Sequence, residues 1–179
     1  KPIKSLLPFI ENIKYKDFQK LAYRHKQALT RGVLIASPDD FVPATINYDK
    51  KIYDAKIRLK GDLVDQMLTE KWPFRIVLKG DNALGGMRRF SIHIPAARGY
   101  LNEWIYQKAI GREGVVALRY DFIDVTLNGK HLGIYALEEH FEKRLIENNH
   151  KREGPIIAFS EAADISEIGH FGWPTDKRI

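Results

Sequence analysis

Two stretches of this chain end almost alike: Ile57-Arg58-Leu59-Lys60-Gly61-Asp62 and Ile76-Val77-Leu78-Lys79-Gly80-Asp81. A strand that stops at Gly-Asp is ordinary turn chemistry, and so short a match also arises by chance. The alternative joins the two strands on one sheet face, where Arg58, Lys60, Arg75 and Lys79 crowd together. Like charges on adjacent strands repel unless an anion sits between them. Phosphate suits such a place, because Arg forks grip its oxygens and Lys adds a point charge. The chemistry would then be recognition of a phosphate-bearing ligand.

Other residues add less. Glu103 lies on a predicted helix, where a buried carboxylate could orient a phosphate-binding cation, as the strand Lys and helix Glu do in protein kinases. An exposed helix Glu is the plainer alternative. The loop with Gly80, Gly85 and Gly86 is neither a Walker sequence nor GxGxxG and reads as a flexible connection. His25, His93, His131, His140, His150 and His170 show no HExxH pattern and no tight pairing, which argues against a metal site of their own. Ser91 and Ser160 lack the GxSxG context of a hydrolase. Trp72, Trp104 and Trp173 are scattered as core or anchor residues are. Basic strands with so few aromatics among them argue against nucleic acid.

The elements that position these residues follow from periodicity. Phe18, Leu21, Ala22, Ala28 and Leu29 recur at helical spacing over Tyr15 to Arg31, with Gly32 at the stop. Strands are predicted at 42–48 and 52–60 around Asp49-Lys50, and at 74–79 and 89–94. Ile57, Leu59, Phe74, Ile76, Leu78, Phe90, Ile92 and Ile94 share the apolar side. A short helix is expected over 100–111. Strands at 119–127 and 131–137 flank Asn128-Gly129, the strongest hairpin signal. The second of them runs into a charged helical segment, Glu138 to Glu147, a layout found beside nucleotide clefts but also common elsewhere. Lys1 to Lys14 reads as a loosely docked arm, and Pro155 to Phe159 as one more strand. Together these make an α+β domain, mainly an antiparallel sheet with packed helices.

Composition sets outer limits. The 179 residues are 44% hydrophobic and 29% charged, enough for a sizeable core, and carry a net charge of +6. That charge invites an anionic partner, although Asp and Glu are interleaved as on an ordinary solvated surface. With no cysteine there is neither a disulfide nor a thiolate metal site within the chain. No apolar run reaches the length of a membrane span. The start at Lys1 reads as a fragment or processed form.

The order of segments is more specific than any single motif. RLKGD, WPFRIVLKGD, GMRRFSIHIP, YLNEWIYQKA, ALRYDFIDVTLNGKHLGIYALEEHFEKRL and REGPII follow one another between about residues 40 and 160. This series resembles the CotH family, named for a spore-coat protein and regarded as atypical protein kinases. LNGKHLGIYALEEHFEK is its most specific part, and Lys14 to Pro43 is similar to the leader of larger bacterial members. The resemblance implies the nucleotide-binding lobe of a protein-kinase-like fold over 41–160, preceded by an arm and helix over 1–40 and followed by a truncated segment over 161–179.

It also implies ATP with Mg2+ or Mn2+, and phosphoryl transfer to protein Ser or Thr in the full-length protein. Arg58 and Lys60 would enter a phosphate loop from Gly61 to Asp65, Arg75 would lie on the cation strand, and Glu103 on the orienting helix. Leu137, Glu138 and Glu139 would form the hinge whose backbone faces adenine. Lys60, Arg75 and Lys79 all stay open as the phosphate-binding cation. The catalytic and metal-binding Asp residues are expected beyond Ile179, since Asp164 and Asp176 lack a catalytic-loop context. The chain alone is then expected to be inactive. The expected partners are nucleotide and a protein substrate, in an exported or envelope-associated bacterial protein. Two other classes remain open: a non-catalytic structural or interaction module of an envelope or spore-coat-like assembly, and a basic module for acidic polymers.

Overall fold

The computed structural model describes residues 8–61 and 64–157. Its centre is a closed barrel of seven strands: β1 (Pro8–Asn12), β2 (Val42–Tyr48), β3 (Lys51–Leu59), β4 (Phe74–Leu78), β5 (Arg89–His93), β6 (Tyr120–Leu127) and β7 (Lys130–Glu139). Neighbours run β1-β2-β3-β4-β5-β7-β6 and return to β1. Every pair is antiparallel except β1 with β6, which is parallel.

Two hairpins set the register. Asn128 and Gly129 both have positive φ, at 47° and 82°, as a two-residue turn matched to strand twist requires. Asp49 and Lys50 make the same kind of turn, at 47° and 60°, without glycine. Tyr48 therefore faces Lys51, and Leu127 faces Lys130. Period-two alternation then turns Ile57, Leu59, Phe74, Ile76, Leu78, Phe90 and Ile92 inward, where all are buried. Phe9 meets Phe90 edge-on across the interior, with centroids 6.3 Å apart. α1 (Tyr15–Arg31) closes over part of the barrel through Leu21 and Ala28, against β2, β3 and the turn Val64–Met67. α2 (Asn102–Arg112) leans on β6, and α3 (Lys143–Asn148) follows β7.

This corrects the expected α+β fold, a mainly antiparallel sheet with packed helices resembling the nucleotide-binding lobe of a protein kinase. The cause is β1. The opening stretch, read from sequence as a loosely docked arm, supplies a stave that pairs with β2 on one side and β6 on the other. Phe9 fills the interior as part of that stave. Both edges of the sheet are thereby used, and the described helices number only three, α3 being six residues long. The helix expected from Glu138 starts at Lys143 instead, because Glu138 and Glu139 remain in β7. Residues 155–157 carry no strand, and 158–179, with Ser160, Asp164, His170, Trp173 and Asp176, lie outside the described residues. Among the described residues no helix is long and apolar enough to cross a membrane.

Candidate functional site

The outward residues of β3, β4, β5 and β7 line up in transverse rows. Arg58 faces Arg75, Arg75 faces Ser91, Ser91 faces Glu138, and Glu138 faces Tyr120. One row further along, Lys56 faces Val77 and Val77 faces Arg89, while the His140 N–H donates to the Arg89 carbonyl over 3.1 Å. Lys56, Arg58, Arg75, Arg89 and His140 line one cleft of about 390 Å³, edged by Phe41 and the Ser37-Pro38 turn. The Phe41 ring takes Lys56 and Arg58 at 4.9 and 5.4 Å, which fixes two cations along one rim. Ser37 caps the short turn at Pro38–Asp40, and Arg24 of α1 pairs with Asp40 at 2.9 Å, so the rim is braced from below.

So many cations in one cleft leave an electrostatic mark. His140 is pushed down to about 4 by burial and by Arg75, Arg89 and Lys60, so its ring is neutral near pH 7. Beside the cleft, Lys60 Nζ lies 2.7 Å from Glu138 Oε2, and His93 Nε2 lies 3.1 Å from the same oxygen. His93 is buried, and its Nδ1 faces the Ile94 carbonyl at 3.1 Å. Burial by itself would raise the Glu138 carboxyl, but the His93 hydrogen bond and the Lys60 charge outweigh it and hold it well below the usual range. Burial draws the Lys60 ammonium downward, and Arg75 and Arg98 add to that against the pull of Glu138. The Tyr120 phenol closes the row, raised by burial and by Glu138 and Glu103.

The residues singled out from sequence divide into two groups. Arg58, Lys60 and Arg75 do share one face, and Gly61 follows directly with φ of 110°. Of the rest of the expected phosphate loop, Asp62 and Leu63 lie outside the described residues, while Val64 and Asp65 begin the turn Val64–Met67. Lys79 belongs elsewhere, in a cavity with Asn12, Asp54 and Asn128. Glu103 accepts a 2.7 Å hydrogen bond from Gln107, whose own carbonyl accepts from the Leu118 N–H, so it braces α2 on the barrel. The carboxylate that holds Lys60 is Glu138, expected only as hinge backbone.

The hinge expectation meets a geometric obstacle. Residues 137–139 pair with β5 on one side and β6 on the other, and the Glu139 N–H donates to the Arg119 carbonyl. Their backbone is spent on the barrel. Leu137 fills the core, and buried Glu139 holds the Arg119 guanidinium in a two-pronged pair, with Nε at 2.9 Å from Oε2. Arg119 also donates to the Gly85 carbonyl at 2.7 Å, and a Cβ on Gly86 would fall 2.3 Å from its Nη1. The Gly85-Gly86 turn is thus a seat for Arg119.

His93, Arg89, His140, Lys56 and Phe41 were missed as site residues. Alternation along β5 would have put Arg89 and His93 on the Arg75 face. His140 and Glu138 needed the knowledge that β7 sits beside β5. A larger cavity, of about 550 Å³, opens between α1 and the Asn128 turn, lined by Phe18, His25, Trp72 and Leu132. It is mainly apolar and holds no cluster of cations. Among the described residues no group of three or more His, Asp and Glu could hold a metal ion. Compared with protein-family models and with curated protein sequences, the chain gives no match.

Proposed function

We propose that the outer wall of β3, β4, β5 and β7 binds the phosphate groups of a nucleotide, with Arg58 and Arg75 as the main grips. The observation that carries this is the direct opposition of Arg58 and Arg75 in register, inside a cleft that also collects Lys56, Arg89 and His140. Two guanidinium groups side by side on one strand pair present forked donors that one phosphate can accept in charge-assisted hydrogen bonds. Lys60, two residues after Arg58, adds a further cation beside the cleft, held by Glu138 at 2.7 Å.

ATP is the ligand the CotH resemblance suggests, and it is the first to test. The reading assigns binding to the described residues. Phosphoryl transfer in the full-length protein is a further step of the same proposal, with its catalytic carboxylates outside them. A non-catalytic module of an envelope or coat assembly is the second reading, favoured by the closed ladder at 137–139, which offers adenine no backbone. Calorimetry separates the two. ATP with Mg2+ should bind, and Arg75→Ala should weaken binding about 10- to 100-fold, as expected for loss of a charge-assisted pair, with the melting temperature nearly unchanged. Tripolyphosphate binding as tightly as ATP would favour the module reading. Equal affinities for the parent and Arg75→Ala would refute the site.

A further inference from the structure

β1 closes the barrel, and it carries an acid that the core buries without help. Glu11 follows Phe9 on the inward side of the strand, is fully buried, and neither of its carboxyl oxygens has a hydrogen-bond partner. Its register neighbours are Ile46 of β2 and Leu127 of β6, both buried and apolar. The titratable groups sharing that interior are Tyr135 of β7 and Tyr48 of β2. The Tyr135 hydroxyl is also buried without a partner and responds to the Glu11 charge, while Lys71 Nζ lies 5.8 Å from the Tyr135 ring. Tyr48 packs on Phe9 at 6.1 Å.

A buried carboxylate is stable only when paired, and here burial alone, with no neighbouring charge to oppose it, pushes the carboxyl up to about 8. The strand that bears it is five residues long and forms the seam of the barrel. Its last residues are held by the Asn128 turn: the Asn128 N–H donates to the Glu11 carbonyl at 2.9 Å, and the Ile13 N–H donates to Asn128 Oδ1 at 2.7 Å.

We propose that Glu11 is a proton-controlled latch on barrel closure: its neutral carboxyl lets β1 sit between β2 and β6, and its ionisation releases the strand from that seam. The sign follows from linkage. A carboxyl released to water titrates near 4.5, so between there and about 8 the closed seam holds one proton more than the open one. Opening should therefore become about tenfold easier per pH unit from about 5 to 8 and level off above that. Release would bare the unpaired edges of β2 and β6, leaving the β3-β4-β5-β7 wall intact.

Amide hydrogen exchange on the intact chain, corrected for intrinsic base catalysis, tests this. Protection of residues 9–12 and of the β6 amides facing them should fall with pH at that slope, while β4 and β5 amides should not. Glu11→Gln and Glu11→Met should abolish the slope. Carboxyl 13C shifts of the unsubstituted protein give a second measurement that needs no variant. A Glu11 midpoint near 8 supports the latch. A midpoint in the ordinary carboxylate range, or the same slope in both variants as in the parent, overturns it.

Discussion

Sulfate binding to the basic cleft should tighten as the pH falls from about 6.5 toward 4, through protonation of His140. In the free protein the imidazole is held down to about 4 by burial and by Arg75, Arg89 and Lys60. An anion seated among those cations cancels their repulsion and lets the ring regain a proton. A group whose affinity for protons rises on binding makes binding take up a proton, so affinity grows with acidity between the free and bound values. Restoring the ordinary 6.5 in full would correspond to about 3.4 kcal/mol. The residue is partly exposed, and screening reduces this to about 1–2 kcal/mol, a gain of roughly five- to thirty-fold. Sulfate is the right probe because its charge is constant over this window, whereas phosphate esters titrate within it. Calorimetry at steps from pH 4.5 to 7.5, with His140 chemical shifts followed with and without sulfate, measures both sides of the linkage. His140→Gln should remove most of the slope. A slope that survives in His140→Gln would refute the assignment, as would a His140 ring whose titration ignores sulfate.

Glu138→Gln should destabilise the protein by about 3 kcal/mol, read as a drop in the denaturant midpoint, because Lys60 and His93 lose their shared carboxylate in a largely buried place. Since that carboxyl titrates below its ordinary 4.5 in the folded state, its stabilisation is complete above that value and fades as the pH falls lower. Acid unfolding should therefore lose its steepness in Glu138→Gln. Phe90→Ala should cost about 3–5 kcal/mol in chemical unfolding, since it empties the barrel opposite Phe9. Lys60→Ala should lower stability more than it weakens ATP binding, because any phosphate gains Lys60 only by taking it from Glu138 at 2.7 Å. An affinity loss larger than that of Arg75→Ala would show that Lys60 leaves Glu138 freely.

Much of the architecture was legible wherever it is local. Asn128-Gly129 announces its hairpin through the positive φ both residues adopt, and alternation in β3 and β4 announces which side of each strand is basic. Arg58 and Arg75 could thus be placed on a common face. What stayed hidden depends on neighbours distant in sequence. Nothing in PFIEN says that it will lie between β2 and β6, because a five-residue strand with a buried glutamate has no clean alternation of apolar and polar residues. The adjacency of β5 and β7 passes over β6, and it alone brings His93 and Glu138 together. Glu103 was one candidate to orient a strand cation, on a helix predicted beside the basic strands. In the barrel β7 reaches Lys60 first.

The filled interior explains why the candidate site lies on the outside. A barrel of seven strands has room only for its own side chains, and Phe9, Phe74, Phe90 and Tyr135 fill it. Ligand chemistry must then use the outward rows, and an outward row of like charges needs a rigid base to hold it. Strand order supplies that base: β3, β4, β5 and β7 lie between β2 and β6 and are each paired on both sides, so Arg58 and Arg75 cannot separate by fraying of an edge. The wall holds its arginines in place for an anion, and they need add nothing to the fold to do so. Neutral residues at Arg58 or Arg75 should weaken sulfate binding while leaving the midpoint of unfolding nearly unchanged, and added salt should weaken binding to the parent as it screens the cleft. Stabilities that fall together with affinity would mean that the two arginines serve the fold and not a ligand.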